Sequence, residues 1–174
     1  MRKTILLLLF IFGTYYFISG YIEDNVKIPE DAIRIRILAN SNDEYDQNIK
    51  EQVKLEMQGY MFNLLKDTDN FKDAEEIITS NLDNIDMKVK NTLQLLDYKL
   101  PYKVNFGLNY FPNKEYKGVK YESGYYESLL ITLGKGEGDN WWCVLFPPLC
   151  LIEAEESTEV EYKSFIKEIL DKYV

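Results

Sequence analysis

The sequence predicts an α+β domain: a mostly antiparallel sheet of four to five strands, two long helices packed on one face, and a short C-terminal helix. Three observations lead there. Residues 33–37 alternate isoleucine and arginine, residues 42–96 place apolar side chains at helical spacing, and residues 102–146 return to strand-like patterning. A strand, two helices and then several strands fit a layered domain in which the first strand inserts among the later ones.

The first strand has three isoleucines, Ile33, Ile35 and Ile37, on one side and Arg34 and Arg36 on the other, so one covered face is expected. Asn40-Ser41-Asn42 ends it. Ser41 with Glu44 has capping-box spacing, and Ile49, Val53, Met57, Tyr60 and Leu64 predict a helix over 42–65, with Gly59 its weak point. The polar residues 67–70 connect it to an antiparallel neighbour. That second helix carries a stripe of Ala74, Ile77, Ile78, Leu82, Ile85, Val89, Leu93 and Leu96, and Pro101 marks its exit.

From Tyr102 to Tyr110 every even position is apolar and every odd one polar or glycine, which predicts a strand; a further short one is expected between Tyr116 and Tyr121. Residues 129–133, the turn GKGEGDN and residues 141–146 read as a buried hairpin, ended by Pro147 and Pro148. Trp141 and Trp142 point to opposite faces of the return strand. Beyond Cys150 acids dominate, and Thr158, Val160, Phe165, Ile169 and Tyr173 outline a loosely docked terminal helix.

The chain divides into 1–20, a signal peptide or membrane anchor; 21–31, a polar tether with Pro29; 32–152, one globular domain; and 153–174, the acidic C-terminal helix. Arg2 and Lys3 followed by the apolar run 5–18, Ser19 and Gly20 have the architecture of an export signal. The run is long for a cleaved signal and short of the about 20 residues of a full span, so cleavage and retention both stay open. Either outcome places the domain outside the cytoplasm, with membrane contact only through the N-terminal segment. From residue 21 onward there are 29 acids against 18 bases, eleven acids in excess, and such a surface repels nucleic acid.

The blocks IPEDAIRIRILANSNDEYDQNIK and GYYESLLITLGKGEGDNWWCVLFPPLC, in this order, resemble the two signature blocks of the stage II sporulation protein R family, and the resemblance spans about residues 28–151. It implies an exported signalling protein of endospore-forming bacteria with no known catalytic residues. It implies further that the protein is made in the forespore and acts between the forespore and mother-cell membranes. Its partner there is a membrane-embedded aspartic-type protease of the mother cell, which once activated processes a sigma-factor precursor.

Little in the sequence competes with a non-catalytic reading. With no histidine, serine–histidine and cysteine–histidine systems and histidine-containing zinc sites are absent. GKGEGDN lacks a serine or threonine after its GK, and Glu137 and Asp139 repel phosphate. Residues 40–46 lack the central glycine of a calcium loop. No metal or cofactor is expected. Cys143 and Cys150, with six residues between them, leave three readings open: a bridge contributing about 2–3 kcal/mol, two buried thiols, or a redox pair. Arg34, Arg36, Trp141 and Trp142 are the candidate receptor-binding residues, the arginines because they form a local positive site on an acidic domain. The alternative function is an exported cell-wall enzyme that uses the carboxylates Glu122 and Glu127.

Overall fold

In the computed structural model, which describes residues 10–14, 28–29, 31–116, 119–149 and 159–173, β1 (Ile33–Leu38) lies between two strands from the far end of the domain. It pairs in parallel with β5 (Gly124–Leu133) and antiparallel with β6 (Asn140–Phe146). β2 (Tyr102–Phe111) is antiparallel to β5, which gives the order β2-β5-β1-β6. The α+β class holds, with two antiparallel pairs and one parallel pair in a four-stranded sheet.

The hairpin expected from residues 129–146 is corrected, because β5 and β6 follow each other in the chain but are not neighbours in the sheet. Residues 134–139 join them across the end of β1. Two inter-strand spacings amount to about 10 Å, a distance that six residues span with ease. The isoleucine-rich β1 gains more from that slot than a hairpin would, since both its edges are paired and both its faces are covered.

One face of the sheet carries α1 (Glu44–Leu65), α2 (Phe71–Ser80) and α3 (Leu82–Leu95). Ile49, Val53, Met57, Met61 and Leu65 of α1 are buried with Ile33, Ile35 and Ile37 of β1 and Leu129, Ile131 and Leu133 of β5. Met61 and Leu65 take the deep positions expected of Tyr60 and Leu64, which are only partly buried. Gly59 does not interrupt the helix. The second predicted helix is divided at Asn81 (φ −105°, ψ 11°). There Asn81 Nδ2 and Ser80 Oγ both donate to the Ile77 carbonyl, at 2.9 and 3.1 Å, and compete with the helical ladder. The apolar stripe runs on across the break through Ala74, Ile78, Ile85, Val89 and Leu93.

The opposite face is covered as well. A ribbon of β3 (Lys114–Tyr116) and β4 (Val119–Tyr121) and the terminal helix α4 (Glu159–Tyr173) contribute to a second, smaller core of Ala32, Val119, Tyr121, Val144, Leu149 and Ile166. The expectation that β1 has a single covered face is therefore corrected. The terminal helix docks firmly: Ile166 is fully buried, and the Tyr173 ring meets Phe146 edge-on at 5.5 Å. Of the expected leader, residues 10–14 are helical and exposed, and the rest lies outside the described residues. Among the described residues no helix is long and apolar enough to cross a membrane.

Gly138 touches the end of β1 so closely that an added Cβ would lie 2.2 Å from the Ser41 carbonyl oxygen, whereas one at Gly59 would meet nothing within 4 Å. Gly138→Ala is expected to cost about 1–3 kcal/mol through overpacking. Gly59→Ala is expected to stabilise by about 0.5–1 kcal/mol through helix propensity. Urea unfolding midpoints measure both, and an unshifted midpoint for Gly138→Ala overturns the tight crossing.

Candidate functional site

The two blocks singled out in the sequence meet at one end of the sheet and are stitched together by main-chain donors. The glycine-rich turn after β5 gives the Lys135 N–H to Asn40 Oδ1 (3.0 Å), the Glu137 N–H to the Asn40 carbonyl (3.2 Å) and the Gly138 N–H to the Ala39 carbonyl (3.0 Å). The Asp139 N–H donates to Asn42 Oδ1 at 2.6 Å. Asn40 in turn is held by Asp46 of α1, whose Oδ2 accepts from Asn40 Nδ2 and Ser41 Oγ, both at 2.7 Å. Ser41 thus serves Asp46 instead of forming the expected capping box with Glu44. The helix begins after Asp43 without a side-chain cap, and the Asp43 N–H donates to Ser41 Oγ at 3.1 Å.

Arg34 does not stand on an open face. Its guanidinium is 1% exposed and lies over the Tyr126 ring, 3.3 Å from the centroid, with Phe111 at 5.3 Å and Trp142 at 5.7 Å. Tyr121 closes on Trp142 edge-on at 5.3 Å. Burial lowers the Arg34 pKa from its ordinary value, against an opposing pull from Tyr126. Among the described residues Nε and Nη1 have no hydrogen-bond partner, while Tyr126 both hydrogen-bonds the guanidinium and offers it a ring face, a cation–π attraction of about 2 kcal/mol for a desolvated contact. Phe111 reaches Trp142, two strands beyond β5, because the β2–β5 hairpin curls over the sheet, and Gly107 (φ 145°) supplies backbone that other residues avoid.

The expectation that Arg34 stands on an uncovered face, free to meet a receptor, is thereby corrected: its side chain is buried. Arg36 is half-buried and donates from Nη1 to the Tyr110 carbonyl at 3.3 Å. Trp141 packs against the main core and Trp142 against the smaller one, on opposite faces as expected, and both remain half-buried. The aromatic lining of the arginine site is legible in one detail of the sequence: Phe111 is apolar at an odd position, after a strand in which only even positions are apolar.

Cys143 is half-buried on β6 and is not a free thiol; Cys150 lies outside the described residues. Glu122 is exposed in the turn before β5, while Glu127 is half-buried and its pKa is raised, first by burial and then by Glu75 of α2. The carboxylate that acts on Glu127 is therefore Glu75, where the enzymatic alternative called for Glu122. A shallow groove between α1 and the end of β6, lined by Met61, Phe62, Leu65, Leu145 and Pro148 among others, contains neither glutamate. Among the described residues no three metal-ligating side chains are grouped.

Residues 29–156 match the family described as stage II sporulation protein R. A stage II sporulation protein R from Bacillus subtilis (strain 168) is 35% identical, over an alignment that covers 92% of this chain and 76% of that protein. No solved structure matches.

Tyr98, just beyond α3, is 8% exposed with an unpartnered hydroxyl, and its pKa is pushed up to about 12 by burial, then by Asp46 and Tyr45. The raised value means that the folded state holds this proton more tightly than the unfolded state. Its contribution to stability is therefore complete below pH 10 and is lost as pH rises toward 12. Tyr98→Phe, which removes an unsatisfied buried group, is expected to be neutral or stabilising at pH 7 and to weaken the alkaline loss. Urea titrations of both proteins between pH 9 and pH 12 measure this, and parallel curves overturn it.

Proposed function

Since this chain belongs to the stage II sporulation protein R family and so has a role in sporulation, we propose that it acts there as an exported signalling ligand. It crosses the forespore membrane by its N-terminal segment, works between the two membranes and activates a membrane-embedded aspartic-type protease of the mother cell, which processes a sigma-factor precursor. The observation that carries this reading is the use made of the two family blocks. Asn40, Ser41, Asn42, Asp46 and the glycine-rich turn spend their polar groups on one another and hold β1 in the centre of the sheet. A domain organised this way acts by offering a rigid surface, and it activates a receptor only by binding the active state or assembly more tightly than the inactive one. Arg36, Trp141 and Trp142 keep enough exposure to take part in such a contact. A bridge between Cys143 and Cys150 belongs to the same proposal, since an exported domain is in a compartment where disulfides persist.

Co-expression of the chain with the protease and the precursor in a non-sporulating host is expected to produce the cleaved precursor, and deletion of residues 1–20 to abolish it. An uncleaved precursor beside a protease shown to be competent overturns the reading. Separately, peptide mapping without reduction on exported protein is expected to find Cys143 and Cys150 linked, and recovery of both as free thiols overturns the bridge.

A further inference from the structure

β2 is an edge strand, and its outer edge carries no strand among the described residues. Natural edge strands are usually protected by prolines, bulges or charges. β2 has no proline, and its pairing with β5 runs without a register shift from Tyr102 opposite Leu133 to Phe111 opposite Gly124. Its one charged residue, Lys103, lies near the start, where Tyr102 is also tied to Asp86 of α3. The second half of the strand has no such guard.

On the helix side of that half, beyond the cover of the helices, Leu108 is 70% exposed, Tyr110 53% and Tyr125 72%. Leu108 stands opposite Glu127, and Tyr110 opposite Tyr125 with its ring edge-on at 5.5 Å. Glu127 feels Glu75, and neither makes an ion pair among the described residues, so the patch combines apolar surface, two accessible tyrosine rings and two unpaired carboxylates.

We propose that the outer edge of β2 receives an extended segment of the partner protein, bearing a lysine or arginine among apolar residues, as a fifth strand of the sheet. Main-chain groups of residues 106–110 on the outer edge bind its backbone, apart from the Gly107 and Tyr110 carbonyls, which already accept from Asn109 Nδ2 and Arg36 Nη1. The aliphatic stem of its basic residue crosses Leu108 to bring the charge between Glu127 and Glu75 and beside the tyrosine rings. A second copy of this chain is a poor occupant, because each copy carries a net charge of −9. The inference rests on the signalling reading for the identity of the partner but not for the existence of the site.

The direct probe is a synthetic eight-residue peptide of alternating lysine and valine, with a glutamate–valine peptide as control, added to isotope-labelled protein recovered after export. The lysine peptide is expected to shift amides of residues 105–111 and 124–128, to bind at least tenfold more weakly to Glu127→Lys and to Leu108→Lys, and the control not to bind. Equal binding of the two peptides, shifts on another face, or a dimer that Leu108→Lys dissolves in ultracentrifugation overturns the inference. In the co-expression assay Glu127→Lys is expected to lower precursor cleavage at least tenfold, and the milder Glu127→Gln to lower it less, with melting curves like the parent protein. Full cleavage with folded Glu127→Lys overturns this surface and leaves the signalling reading intact. Failure of the parent protein to trigger cleavage removes the signalling reading, and the peptide experiment still decides the edge.

Discussion

Because β1 is hydrogen-bonded on both edges, to β5 on one side and β6 on the other, the chain between those two strands has to pass over the end of β1. That crossing brings the GKGEGDN turn against Asn40, Ser41 and Asn42 and demands a glycine where Gly138 meets the Ser41 carbonyl. It also sets the direction of the long excursion through α1, α2 and α3, since α1 starts from the loop that the turn grips. Asp46 joins these events: one carboxylate oxygen holds both Asn40 and Ser41, and so fastens the first helix to the turn at the other end of the domain's sequence.

The same central position explains the burial of Arg34. A strand in the middle of a covered sheet has no solvated face, and an arginine placed there keeps its charge only if something replaces water. Rings from three strands do so in part: Phe111 of β2, Tyr126 of β5 and Trp142 of β6. The curled β2–β5 hairpin is the other half of this arrangement. Its concave side delivers Phe111 and Tyr126 to the arginine, and its convex side turns Leu108, Tyr110 and Tyr125 outward. A fold without the curl would leave Arg34 wet and these side chains closer to the helices.

Local pattern carried much of this. The alternation in 33–37 and 102–110 reports strands because side-chain direction in an extended chain has period two, whatever lies around it. The helical stripes survive even the break at Asn81, since Ile85 and Val89 still face the sheet. What local pattern misjudged were choices between alternatives of similar local merit. The turn after β5 suits a hairpin and a crossing alike, and Ser41 suits a capping box and a bond to Asp46 alike. The side chains of the candidate surface follow the same rule: Leu108 and Tyr110 share the even, apolar phase of Tyr102, Val104 and Phe106, and only the extent of the helices decides which of the five are covered.

By itself, then, the sequence determined the kind and order of the elements, the α+β class and the family blocks, all of which rest on spacing along the chain. Tertiary structure alone decided that β1 separates β5 from β6, that its arginine side is a second interior, and that Glu127 answers to Glu75 and not to Glu122. The physical reason is one of range. Periodicity reports whether a residue is on the same side as its neighbours two or four positions away, whereas the partner across a sheet or under a helix is set by packing among segments far apart in the chain, where burial of apolar area outweighs the preferences of any single turn.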